Sequence, residues 1–350
     1  MNKMTRAYKS KKIFRIFLII LAIASFLVIA GGYYIFLFPN MKHIDKNMYL
    51  YIRDNDQFEE VMNQLKEKSK IGNPVTLNWV ARLLQYTDNI QPGRYKIENN
   101  MSNIGLVRKL RSGIQEPVKL SFNNIRTKPQ LAARIGSQIM ADSATINTLL
   151  DDSVFLNQYG LNFYTSVTLF IPNTYELYWD TDGEELFERM KKEFDAFWNE
   201  SRTEKAKTIP MTPAEVMTLA SIIEEETNKK HEYPIIAGLY INRLKRDMPL
   251  QACPTVKFAL GDFGLKRILL GHIRTESPYN TYKNTGLPPG PIRIPSITCI
   301  DAVLNYEKHN YLFMSAKETF NGEHNFAATG TEHMRNARKY QRALNARGIQ

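Results

Sequence analysis

Cysteine, histidine and long apolar runs are what this 350-residue chain has least of: two cysteines, six histidines and one run. The histidines form no H-E-x-x-H or comparable ligand spacing, which argues against a metal centre. Cys253 and Cys299 are too few to build a disulfide scaffold; they leave open one bridge or two buried thiols. Beyond residue 38 no apolar run approaches membrane-spanning length, and YPIIAGLYI (Tyr233–Ile241) reads as a core segment. The first fifteen residues contain no acid, and Lys3, Arg6, Lys9, Lys11, Lys12 and Arg15 there supply +6 of the net +11. The remaining +5 comes without an interleaved basic and aromatic stripe, so nothing points to nucleic acid.

What is present begins with Ile16–Phe38, 23 residues without a charge. At ~1.5 Å rise per residue that length crosses a ~30 Å hydrocarbon core. Tyr33 and Tyr34 suit the interface, and the basic residues ahead of the run predict a cytoplasmic tail over residues 1–15. AIAS and AGG offer small residues for signal cleavage, yet the run continues past them, beyond the ~7–15 residues of a signal h-region. The expectation is an uncleaved anchor over residues 16–38, with the rest of the chain outside the cytoplasm on the cell membrane. That exported part has room for two domains, and 43% hydrophobic residues with 11% aromatics are enough to pack them.

Over residues 46–117 the pattern predicts a small β–α–α–β module. MYLYI (Met48–Ile52) reads as a strand, and Asp56 with Glu59 as the cap of a helix whose Phe58, Val61, Met62 and Leu65 share one face. A second helix falls near residues 77–86, Pro92-Gly93 turns the chain into a strand, and a helix over about 104–110 ends at Gly113. Such a unit is either a binding module or a spacer. From 118 to 350 helices, including segments at 130–140 and 184–199, mix with short strands and Pro/Gly-rich loops, an α+β pattern. NTGLPPGPIRIPS (Asn284–Ser296), with four prolines, suits a rigid connector or a groove wall.

The segment most suggestive of chemistry is SIIEEETN (Ser221–Asn228). Thr212, Pro213 and Glu215 make a capping box that fixes the phase of the helix leading into it. At ~100° per residue, Val216, Leu219, Ala220 and Ile223 form an apolar face, and Glu225 lies opposite it, toward solvent. Glu224 and Glu226 flank the buried stripe. A carboxyl at such an edge has its ionised form disfavoured, which suits a general acid near neutral pH. Helix geometry by itself does not separate that role from two charges at a fraying helix end.

Several strings occur together and in order: IQPGRYKI (Ile90–Ile97), IPNTYELYW (Ile171–Trp179), LASIIEEET (Leu219–Thr227), GLYINRL (Gly238–Leu244), LQACPTV (Leu250–Val256), SPYNTYKNTGLPPGPI (Ser277–Ile292), YLFMSA (Tyr311–Ala316) and GEHNFAATGTEH (Gly322–His333). In this the exported chain resembles the YceG-like endolytic murein transglycosylase (MltG) family. The resemblance implies a LysM-like subdomain followed by a catalytic domain with a substrate groove that cuts peptidoglycan glycan strands. In the family's E-x-E-T motif the second glutamate is catalytic, which corresponds to Glu226, with Glu224 supporting and Glu225 at the variable position. It also implies the chemistry: Glu226 protonates the oxygen leaving N-acetylmuramic acid, the sugar's own 6-hydroxyl attacks C1, and the ionised Glu226 takes that hydroxyl's proton. The product is a 1,6-anhydromuramic end, made without metal or cofactor.

By the same resemblance Gln251, Thr255, Tyr279, Asn280 and Tyr282 line the cleft and His324 and Phe326 close its other side, although each could instead be a structural residue. The implied partners are glycan strands, the membrane and cell-wall synthases such as penicillin-binding proteins. The chain departs from the family pattern at Cys253 and Asn173, where aspartate is usual, which weakens any idea of a second assisting acid. Two other readings keep the same motifs: a muramidase using water, and a non-catalytic peptidoglycan-binding scaffold.

Overall fold

The computed structural model describes residues 3–42, 48–265 and 267–348. Residues 1 and 2 of the expected tail, 46 and 47 of the expected module, and 349 and 350 at the end of the expected catalytic segment lie outside the described residues. The chain divides into two units, one of Met1–Val118 with Leu177–Asp180 and one of Lys119–Glu176 with Thr181–Gln350.

The first unit opens with a helix, Lys3–Phe36, whose Lys11–Phe36 stretch is long and apolar enough to cross a membrane by length and composition. The helix stops two residues short of the end of the apolar run, because the Leu37 and Phe38 amides both turn back onto the Tyr33 carbonyl. Next come a strand, Tyr49–Ile52, helices Phe58–Lys68 and Pro74–Leu83, a strand, Gly93–Lys96, and a helix, Asn103–Arg111. The two strands pair antiparallel from Tyr49↔Lys96 to Ile52↔Gly93. A shorter antiparallel pair, Met41–Lys42 with Lys70–Ile71, was not anticipated from the sequence. Leu50, Ile52, Val61, Leu65, Leu77, Val80, Tyr95 and Leu106 bury the inward faces, as their periodicities require.

Two local expectations shift. Asp56 folds back to accept the Arg53 amide, so the first helix is instead capped one residue later, where the Glu60 carboxylate accepts the Gln57 amide. The second helix starts three residues before the expected 77, at Pro74. Asn73 caps it by accepting the Val75 and Thr76 amides, an N-cap followed by proline at N1. Gly113 does stand at positive φ (66°) just past Arg111, as a helix-ending glycine should.

In the second unit the glutamate helix, Pro213–Glu226, is the centre of the core. Its start is as expected: Thr212 accepts the Glu215 amide and Glu215 accepts that of Thr212. Its middle is not amphipathic, since every residue from Val216 to Ile223 is buried. Helices Tyr233–Leu244, Cys253–Leu260 and Ile297–Leu304 pack around it, with Glu200–Thr208 near its start. Gly238 lets the first of these approach residues 307–309, because a Cβ there would sit 2.2 Å from the Glu307 carbonyl oxygen. A hairpin of Phe313–Ala316 against His324–Ala327, in register Met314↔Phe326, leads into a final helix, Gly330–Ala346.

The proline-rich segment acts as a connector clamped to the glutamate helix. The Ile292 amide donates to Ser221 Oγ at 3.0 Å and the Ser296 amide to Glu224 at 2.8 Å. Gly290 is needed there, since a Cβ would fall 2.1 Å from the Tyr164 carbonyl oxygen. The cysteines do not pair: Cys299 is buried with its thiol 3.2 Å from the Ala220 carbonyl, and Cys253 lies 3.2 Å from the Tyr282 hydroxyl.

Candidate active site

The three glutamates at the end of the helix meet three different environments. Glu225, which the helical phase points to solvent, is held instead by two arginines. Arg126 grips it with two hydrogen bonds (3.0 and 3.1 Å), and Arg293 Nη1 lies 2.8 Å from Oε1. The correction has a simple cause: a helix buried on all sides has no solvent face, so a charge opposite its apolar stripe must be neutralised by partners. Glu224 accepts the Ser296 amide and lies 3.6 Å from Arg293 Nε. Both carboxylates therefore fasten the helix to the loop that follows residue 290.

Glu226 opens into a cavity that neither Glu224 nor Glu225 lines. That cavity has a volume of about 480 Å³, and among its described lining residues Glu226 is the one carboxylate. Glu226 is partly exposed toward it, yet protein crowds its carboxyl enough to push the pKa from the ordinary carboxylate range up to about 7. Loss of hydration is the main cause. A hydrogen bond from the Tyr240 hydroxyl (2.9 Å) and the electrostatic influence of His324, Lys257 and Arg243 pull the other way. The result is a carboxyl that is present in both protonation states near neutral pH.

Two supports frame this carboxyl. Tyr240 and Arg243 project from the same helix, and the Arg243 guanidinium donates to the backbone carbonyls of Leu312 (2.6 Å), Pro249 and Leu250 (both 2.9 Å). It thereby ties the hairpin to the segment ahead of Cys253. In that segment Gln251 takes a left-handed backbone (φ 51°), unusual for a non-glycine residue, and its amide is held by the Thr281 carbonyl at 3.0 Å. On the hairpin side His324 Nδ1 lies 2.9 Å from the carboxylate of Glu232, which is buried and also accepts the His324 amide and the Thr227 hydroxyl. This fixes the imidazole where it borders the cavity.

Of the expected site residues, Gln251, Tyr282 and His324 line the cavity together with Glu226. Thr255 and Asn280 do not; both are fully buried. Thr255 bonds the Ala252 carbonyl and the Thr281 hydroxyl, while the Asn280 side chain staples its loop through Ile273, Thr275 and Tyr282. Tyr279 borders a separate cavity of about 280 Å³ alongside Phe258, Phe163 and Tyr164. Phe326 packs on the core and stacks with Tyr311 at 5.7 Å. Cys253, singled out as a departure, does border the Glu226 cavity, its thiol pushed up in pKa by burial.

Tyr240, Arg243, Glu232 and His333 carry or border the site and were missed. Tyr240 and Arg243 did leave a signal: they are polar-tipped residues three apart, on one face of a largely apolar helix.

The sequence model of the YceG-like family matches residues 50–339. An endolytic murein transglycosylase of Bacillus subtilis (strain 168) is 33% identical over 266 residues, which are 71% of this chain and 73% of that protein. A protein of the same name from Streptococcus pneumoniae serotype 2 is 29% identical over 365 residues; the match covers 93% of this chain but 64% of the relative, so the chain spans under two thirds of it. The crystal structure of a yceG-like protein from Listeria monocytogenes matches with a TM-score of 0.55 at 26% identity, over 83% of this chain and 98% of that one.

Proposed function

The chain belongs to the YceG-like family, and from that membership and the surroundings of Glu226 we propose that it is a peptidoglycan lytic transglycosylase that cuts within glycan strands. The observation that carries the reading is a cavity in which Glu226 is the one carboxylate among the described lining residues, with a pKa of about 7. Hydrolases that retain or invert configuration commonly use two carboxylates. One carboxyl suffices when the nucleophile is part of the substrate.

The steps follow from one proton. Protonated Glu226 gives its proton to the oxygen between N-acetylmuramic acid and N-acetylglucosamine, and the C1–O bond breaks. The Tyr240 hydroxyl and the positive charge of Arg243 stabilise the carboxylate left behind. The muramic acid 6-hydroxyl then bonds to C1, and Glu226 takes its proton, which restores the starting enzyme. Gln251, Tyr282 and His324 supply hydrogen-bonding groups around the sugar. The N-terminal helix crosses the cell membrane once with its basic end in the cytoplasm, and the first unit is a LysM-like module. Cutting strands as they are made ends their elongation and places the protein beside penicillin-binding proteins.

A second reading has one observation in its favour: His324, fixed by Glu232, is an imidazole that could activate water and make the enzyme a muramidase. Mass spectrometry of products from uncrosslinked strands separates the two. The expected outcome is internal fragments with anhydromuramic ends, each lighter by one water than a reducing end. Reducing ends throughout would establish hydrolysis.

A further inference from the structure

The helix Pro74–Leu83 is apolar on two opposite faces. Leu77, Val80 and Ala81 are buried in the core of the first unit. Val75, Trp79 and Leu83, spaced four apart, form a stripe on the other side and are 77%, 56% and 58% exposed. At ~100° per residue the two sets are centred about 160° apart. A tryptophan with more than half its surface in water, between two exposed aliphatic residues, points to a partner.

Chain connectivity says which partner. Trp79 sits 6.4 Å, ring to ring, from Phe36, the last residue of the N-terminal helix. Buried asparagines hold the two helices in that position. Asn103 donates both to the Ile35 carbonyl (2.8 Å) and to the Thr76 hydroxyl (3.0 Å), while its side-chain oxygen accepts from Asn40 (2.6 Å). Asn40 in turn accepts the amide of Asn73, the cap of the Pro74–Leu83 helix, at 2.6 Å. Ile35 and Phe36 also pack against the core of the unit. The first turns of this helix are thus fixed beside the last turn of the apolar span, where Tyr33, Tyr34, Leu37 and Phe38 are themselves exposed. Whatever surrounds the end of the span also surrounds Trp79.

We propose that the Val75–Trp79–Leu83 face lies in the interfacial layer of the bilayer crossed by the N-terminal helix, with the Trp79 ring at the level of the lipid carbonyls. Tryptophan favours that layer, with its ring in an apolar setting and its N–H near polar groups. Short helices with one apolar face lie along it. Arg82, exposed beside the stripe, suits anionic headgroups. The first unit is then seated on the membrane surface as well as tethered to it.

The inference rests on the N-terminal helix spanning the membrane, and one experiment tests the two separately. The full chain is reconstituted into vesicles of zwitterionic and anionic lipid, floated on a density gradient, and measured for tryptophan emission with acyl chains brominated near the carbonyl end. Wild type is compared with Trp79→Phe, an exposed substitution that spares Trp179 and Trp198. The expected result is flotation of both proteins and a bromine-quenched component present in wild type and lost in Trp79→Phe. Flotation with equal quenching in the two proteins would put Trp79 in water and overturn the proposal while leaving the span intact. Failure to float would overturn both.

Discussion

Glu226→Gln should lower the rate of glycan cleavage by ~10²–10⁴-fold or more, since one side chain serves as acid and then as base. Glutamine has nearly the same shape and can still accept the Tyr240 hydrogen bond, so the cavity keeps its form and glycan affinity changes little. The substitution should not weaken the fold. Glu226 has a folded-state pKa of about 7, above its ordinary range. Between that range and 7 the native protein holds the proton that the unfolded chain has released, so this group's contribution to stability falls as pH rises. Glutamine carries no such charge. The variant should therefore melt at or above the wild-type temperature above pH 7 and show no advantage in acid. Cleavage by the variant at more than about a tenth of the wild-type rate would remove Glu226 from the chemistry.

Arg243→Met should produce the largest loss of stability among residues bordering the cavity, about 3–5 kcal/mol. Methionine retains most of the apolar stem that lies among these residues. It cannot donate to the carbonyls of Leu312, Pro249 and Leu250, which the guanidinium now satisfies from a nearly buried position. A buried carbonyl left without a donor costs ~1–3 kcal/mol. The left-handed backbone at Gln251 adds to the effect, because it is kept in place by the contacts that Arg243 and Thr281 make to its segment. Arg243→Lys should recover part of the loss, since an ammonium can reach one or two of these acceptors but not all of them. Urea denaturation of the three proteins measures this. A Met variant within about 1 kcal/mol of wild type would mean that Arg243 does not frame the site.

Local signals in the sequence were dependable where the structure is local. Thr212, Pro213 and Glu215 set the start and phase of the glutamate helix, and that phase gives Glu225 a different direction from Glu224 and Glu226. It could not say what Glu225 would meet, because Arg126 and Arg293 are 99 and 68 residues away in sequence. An arginine far off in the chain can turn a solvent face into a partly buried ion pair, and helical periodicity carries no trace of it. The polar residues of the PYNTY and LQACPTV strings show the converse. Their spacing does not distinguish a side chain that faces a cavity, such as Tyr282, from one spent on its own loop, such as Asn280. Tyr240 and Arg243 escaped notice because the segment around them reads as apolar core. Their tips reach the cavity only through the packing of that helix against its neighbours. The slip from Asp56 to Gln57 at the first cap is smaller and has a local cause, the competing bond from Asp56 to the Arg53 amide.

The central claim is that one carboxyl, held near pKa 7 by the loss of its hydration, supplies and recovers the proton of the reaction. The pH dependence of kcat/KM on uncrosslinked glycan strands, measured between about pH 5 and 9, tests it most directly, because that quantity reports the essential acid of the free enzyme. The prediction is a plateau on the acid side and a tenfold fall per pH unit above about 7, the pKa that Glu226 has in its cavity. A profile that stays level through pH 7, or that already falls from the ordinary carboxylate range, would contradict it.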